Sequence, residues 1–101
     1  MYIYNVTVNV DHAIVKEWVQ WLKTEHIPEV IDTGCFTTAT VLELLENVDE
    51  EGATFAVQYK TARLEDYKRY LAEFAPEMRQ KGLDKWGDRF IAFRTLMKIV
   101  D

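Results

Sequence analysis

The sequence predicts an α+β domain with the element order βαββαβ: a four-stranded antiparallel sheet with two kinked helices on one face. Three observations carry this. Residues 2–10 alternate between two faces, apolar against polar from Tyr4 to Val10, the period of a half-buried strand. Two later stretches are amphipathic at helical period, and each holds a proline followed by a glycine. A shift of 48 residues also superposes EHIPEVIDTG (Glu25 to Gly34) on EFAPEMRQKG (Glu73 to Gly82). Glutamate, proline, a second glutamate and glycine coincide, each at the same place in a βαβ unit, as a split βαβ fold with two similar halves requires.

Taking the elements in order, the first strand covers residues 2–10. Tyr2, Tyr4, Val6, Val8 and Val10 share one face, and Ile3, Asn5, Thr7 and Asn9 the other. Asp11 is a suitable N-cap for the first helix. On a wheel of about 100° per residue, Ile14, Val15, Trp18, Val19, Trp21 and Leu22 fill an arc of roughly 160°, as expected of a helix lying on a sheet. Glu25 and His26 fall inside the same arc, where an ionisable group needs a partner or water. Pro28 should kink or restart the helix beside them, and Gly34 should end it. His26 then either caps the carbonyls freed by the proline or serves as a proton carrier.

Residues 36–46 are rich in β-branched side chains and read as the second strand, joined by an acidic turn (Asn47 to Gly52) to a third over Thr54 to Lys60. The second helix starts near Ala62 with Leu64, Tyr67, Tyr70, Leu71, Phe74, Ala75 and Met78 on one arc. Pro76 interrupts it and Gly82 is expected to end it, leaving Leu83 to Asp88, with Trp86, as a loop. The last strand runs from about Arg89 to Val100. At the position matching His26, the second half carries Phe74, a plain core ring, which singles out the imidazole for a function.

Composition bounds the rest. At 101 residues, 49% hydrophobic and 29% charged, the chain is expected to be one domain over 1–101 with one core. A formal charge of −5 without any basic cluster argues against nucleic acid or an anionic membrane as partner. Two histidines and one cysteine leave no zinc-type spacing, and no metal or cofactor is expected; Cys35 reads as a small buried hydrophobe. The opening MYIYNVTVNV lacks the basic region of a signal peptide, and no apolar run reaches transmembrane length, so the expected compartment is the cytoplasm.

The two helices should cover the face holding Tyr4, Val6, Val8, Phe55, Val57, Ile91, Phe93 and Met97. The outward face would then carry Ile3, Asn5, Thr7, Asn9, Ala56, Gln58, Phe90, Ala92, Arg94 and Leu96. The second strand adds either Phe36, Thr38, Thr40 and Leu42 or Thr37, Ala39 and Val41. Such a mixture is too apolar for a wet surface and too polar for a sealed core. It suits a wall covered by a second copy of the chain, giving a sheet-to-sheet homodimer with a pocket on that side.

The segments YNVTVNV, EHIPEVIDTGCF and KWGDRFIAFRT, with the order of elements between them, resemble a family of short bacterial proteins of unknown function in the dimeric α/β-barrel superfamily. The resemblance covers nearly the whole chain and implies a ferredoxin-like protomer that dimerises through its sheets. More distant relatives in that superfamily include cofactor-independent monooxygenases, haem-degrading enzymes, muconolactone isomerase and chlorite dismutase-like proteins. Asn5 is similar in placement to the asparagine of the monooxygenases and haem degraders. The histidine with which the haem degraders ligate iron has no counterpart in residues 62–82, which contain none.

Two functional classes follow. In the first, the protein is a cofactor-independent enzyme, monooxygenase- or isomerase-like, acting on a small aromatic or anionic molecule. Asn5, Thr7 and Gln58 would orient polar groups, Arg94 would hold an anionic oxygen, Phe90 and Trp86 would pack on the ring, and His26 would carry the proton. In the second, it is a non-catalytic ligand-binding or oligomerisation module, in which Asn5 and Gln58 bond within the interface and Arg94 pairs with a glutamate. No nucleophile–base pair and no adjacent pair of carboxylates stands out.

Overall fold

A computed structural model describes residues 1–46 and 51–101; the turn expected at Asn47 to Gly52 lies largely outside the described residues. Four strands form one antiparallel, open sheet: β1 (Tyr2–Asp11), β2 (Thr38–Glu43), β3 (Gly52–Thr61) and β4 (Phe90–Lys98), in the order β2-β3-β1-β4. Because β1 and β2 each run antiparallel to β3, they run parallel to one another with β3 between them. β3 and β4 flank β1 in the same way. Each helical arm therefore links two parallel strands across a third, and the two crossovers interleave.

The first arm is continuous from a 3₁₀ turn (His12–Ile14) through α1 (Val15–Trp21), a π-helical turn (Leu22–His26) and α2 (Ile27–Asp32). Asp11 caps its start, accepting from the backbone N–H of Ala13 at 2.9 Å. The restart expected at Pro28 is present: Pro28 sits in the first turn of the short α2, after a widened turn in which the N–H of Ile27 reaches back to the carbonyl of Leu22. A widened turn accommodates the missing proline donor without breaking the arm. The second arm consists of α3 (Leu64–Glu73) and α4 (Ala75–Trp86), divided at Phe74, with Pro76 again in the first turn.

Gly82 does not end this arm. It lies buried within α4, where an added Cβ would meet the Phe90 ring at 3.7 Å and the Trp21 ring at 3.8 Å. The stop is Gly87, at φ +61, whose N–H bonds the carbonyl of Leu83. The stretch expected as the loop Leu83 to Asp88 is thus mostly the last turn of α4. A Cβ would fit at 82 with ordinary contacts, whereas at 87 glycine is needed for its dihedral angle.

The core lies between the helical arms and one sheet face. Tyr4, Val8, Val10, Phe55, Val57 and Tyr59 come from the sheet; Trp18, Leu22, Val30, Tyr70, Ala75 and Met78 come from the helices. Phe36, just before β2, joins them and packs against Tyr4, Tyr59 and Tyr70 at ring separations of 5.1–5.8 Å.

The phase expected for β4 is reversed. Val6 pairs with Arg94, Val8 with Ala92 and Val10 with Phe90, so Phe90, Ala92, Arg94 and Leu96 share the helix-facing side. Ile91, Phe93, Thr95 and Met97 face outward, with Ile91 60% and Phe93 66% exposed. The more apolar set was assigned to the core, but both sides of β4 carry large apolar residues, and its pairing with β1 decides which side turns inward. In β2, Thr38, Thr40 and Leu42 share the outward face with Gln58 and Ala56.

Candidate functional site

The reversal of β4 divides the residues expected to form one site. Asn5, Thr7 and Gln58 lie on the outward face and bond one another. The Asn5 amide nitrogen donates to Thr7 Oγ1 at 2.9 Å and to Thr95 Oγ1 at 3.3 Å, and Asn5 Oδ1 accepts from Gln58 Nε2 at 3.3 Å. This ladder crosses β3, β1 and β4 and leaves Asn5 only 7% exposed. Its groups satisfy one another, as buried amides and hydroxyls must.

His26, Phe90 and Arg94 come together on the opposite side, in a cleft between the arms and the sheet. The cavity there is about 70 Å³. It is floored by Val6, Val8, Val57, Ala92 and Phe90, and its depth is set by Tyr4, Tyr70, Trp18 and Met78. Trp21 and His26 of the first arm and Arg79 and Gly82 of the second complete its walls.

The π turn positions the histidine. Its ring stacks on Trp21, with centroids 4.8 Å apart and planes 21° apart. As the N-cap residue of α2, His26 makes no side-chain bond to the N–H groups of that helix. Burial holds its pKa below the ordinary 6.5; Glu29 opposes this, while Lys81 and Arg94 push in the same direction as burial. At neutral pH it is an uncharged imidazole, one nitrogen donating and the other accepting. Trp86 packs edge-on against Trp21 at 5.9 Å from outside the cleft, and its buried indole N–H finds no acceptor among the described residues.

Arg79 was not singled out from sequence. It lies four residues after Ala75 and three before Gly82, both buried, so it sits on the core-facing stripe of α4, and that spacing was the available signal. Its guanidinium donates to the Tyr4 hydroxyl at 3.4 Å. Burial and the neighbouring Tyr4 raise the Tyr70 pKa well above the ordinary phenol value, against the Arg79 and Arg94 guanidiniums, which act to lower it. Tyr70 is therefore a neutral hydroxyl beside two cations. The cleft lining contains no Asp, Glu, Ser, Thr, Cys or Lys, and so no nucleophile–base pair. Among the described residues no group of three His, Cys, Asp or Glu side chains is placed to hold a metal ion, and no helix is long and apolar enough to cross a membrane.

A family model for a domain of unknown function, DUF4286, matches residues 1–100. The chain belongs to the DUF4286 family. Among solved structures, this DUF4286 chain is similar to the crystal structure of protein Atu4242 from Agrobacterium tumefaciens, with a TM-score of 0.65 and 15% identity over 99% of this chain and 94% of that one. At that identity the likeness concerns the fold. No curated protein matches the DUF4286 chain.

Proposed function

We propose that this protein binds a small molecule in the cleft between its helical arms and the β1–β4 half of the sheet. The observation that carries this reading is the cavity itself. Protein interiors are close-packed, with few voids larger than one water. One water needs about 10–15 Å³ of such volume, so the roughly 70 Å³ here has room for about five. A π turn beside it adds weight, since such turns are uncommon and concentrate at functional sites. His26 and Trp21 form one wall, and the lining holds no Ser, Thr, Cys, Lys or carboxylate side chain, which favours a binder over an enzyme that uses one of these as nucleophile.

The test is an NMR titration of the wild type and Gly82→Leu with a panel of small neutral and anionic organic molecules. Shifts confined to Trp21, His26, Gly82 and Phe90, and lost in Gly82→Leu, are the expected result. Shifts only on the outward face, or none at millimolar concentration, would sink the reading.

A second reading concerns the outward face, where Ile3, Leu42, Ile91, Phe93 and Met97 surround the Asn5 ladder. Leu42, Ile91, Phe93 and Met97 are each 40% exposed or more in the single chain. Contiguous apolar exposure of this kind marks an interaction surface, and we take its occupant to be the same face of a second copy. The protomer would then be ferredoxin-like and the assembly a dimeric α/β barrel, a reading supported by the interleaved crossovers and the strand order β2-β3-β1-β4.

A further inference from the structure

We infer that the cleft is a receptor for a short-chain carboxylate; this rests on the reading that the cleft binds a ligand and adds the ligand's class. The chain has five arginines. Arg63 lies beside Glu65, Arg69 beside Asp66 and Arg89 beside Asp11, at 3.7–3.9 Å. Arg79 and Arg94 have no carboxylate partner among the described residues, and both line the cleft, which itself contains no acidic side chain. In a protein of net charge −5 this is a local reversal of sign. A guanidinium pair is suited to a planar oxyanion, which it grips through paired N–H donors. The Tyr4 and Tyr70 hydroxyls and one nitrogen of neutral His26 offer further polar contacts at the same end.

The remaining walls decide between oxyanions. Val6, Val8, Ala92 and Phe90 present only carbon to the cavity. A phosphate, polar on every side, would leave them facing oxygen, whereas a short aliphatic tail would cover them. Size then bounds the tail. Room for about five waters admits roughly five or six non-hydrogen atoms, the size of propionate or butyrate. A benzoate ring exceeds that volume and would reach out of the open cleft, so the ligand class inferred is a short aliphatic carboxylate.

The experiment titrates the ¹⁵N-labelled wild type with butyrate, butanamide, inorganic phosphate and benzoate, then repeats the butyrate titration on Arg79→Gln and Arg94→Gln. Both arginines are exposed enough that neither variant should lose its fold, which circular dichroism checks. Butyrate should shift Trp21, Gly82 and Phe90, and each variant should weaken it about tenfold, the usual effect of removing one charge-assisted contact. Phosphate and benzoate should compete poorly. Butanamide binding as well as butyrate would overturn the carboxylate assignment while leaving the cleft reading standing. So would phosphate displacing butyrate at equal concentration, or butyrate binding indifferent to both substitutions. No response at the cleft to butyrate or butanamide would overturn the cleft reading as well.

Discussion

His26 lies flat on Trp21 because the turn between them is too wide to be α-helical. Five residues apart at about 100° each, two side chains of a regular α-helix point roughly 140° away from one another. The π turn at Leu22–His26 removes that divergence and brings the rings to 4.8 Å. The stack and the turn are therefore one feature, and the imidazole at the cleft mouth depends on it.

The same stack makes His26 a source of acid sensitivity. Its pKa is held below 6.5 by burial, with Lys81 and Arg94 acting in the same direction and Glu29 against it. As pH falls through 6.5 the unfolded chain takes up the proton first, so stability decreases on the acid side and is unaffected above it. His26→Phe keeps a ring against Trp21 and lacks the proton site. Urea unfolding from pH 8 to pH 5 should show the variant gaining on the wild type only below about pH 6.5. A difference that does not change with pH would rule this out.

The two glycines of the second arm should respond to alanine with opposite signs. Gly82 is helical, and an added Cβ would find ordinary contacts at 3.7–3.8 Å, so Gly82→Ala should gain about 0.5–1 kcal/mol. Gly87, at φ +61 with nothing near it, should lose about 1–2 kcal/mol on the same substitution. Thermal or urea denaturation reads both. Equal signs would mean that α4 does not end at Gly87.

Asn5 tests the division between the two faces. Asn5→Ala would remove the bonds to half-buried Gln58 and Thr7 and to exposed Thr95, costing about 1 kcal/mol. Butyrate affinity in the cleft should not change. Loss of binding with stability retained would move the ligand site to the outward face.

Self-association should depend on Ile91 and Phe93. Sedimentation at micromolar concentration should give about twice the 11.9 kDa protomer mass for the wild type and a single protomer for Phe93→Glu or Ile91→Lys. Both side chains are at least 60% exposed in the single chain, so neither change should unfold it. A wild type that sediments as one protomer would remove the dimer.

Much of the fold was legible because β1 alternates apolar against polar and both arms carry their prolines at matching places. Period and punctuation are local signals, and local signals were sufficient there. β4 was misphased because Ile91, Phe93 and Met97 compete with Phe90, Ala92 and Leu96 for the interior, and hydrophobicity cannot choose between two greasy sides. That error placed Arg94 and Phe90 beside Asn5, when they belong with His26. Gly82 reads as a stop because sequence does not distinguish a glycine inside a helix from one that ends it with a positive φ. Arg79 is easily passed over because an exposed charge on a helix reads as merely solvated, although its spacing from Ala75 and Gly82 puts it at the edge of the buried stripe, beside the cleft.

The central strand also sets the order in which the molecule can be assembled. Tyr2–Asp11 precedes both of its ladder neighbours, β3 and β4, along the chain, and Val6 waits for Arg94. Neither half can complete its own sheet, so the two halves should fold together as one unit and not one after the other. Until both neighbours dock, the apolar face of β1 stays uncovered.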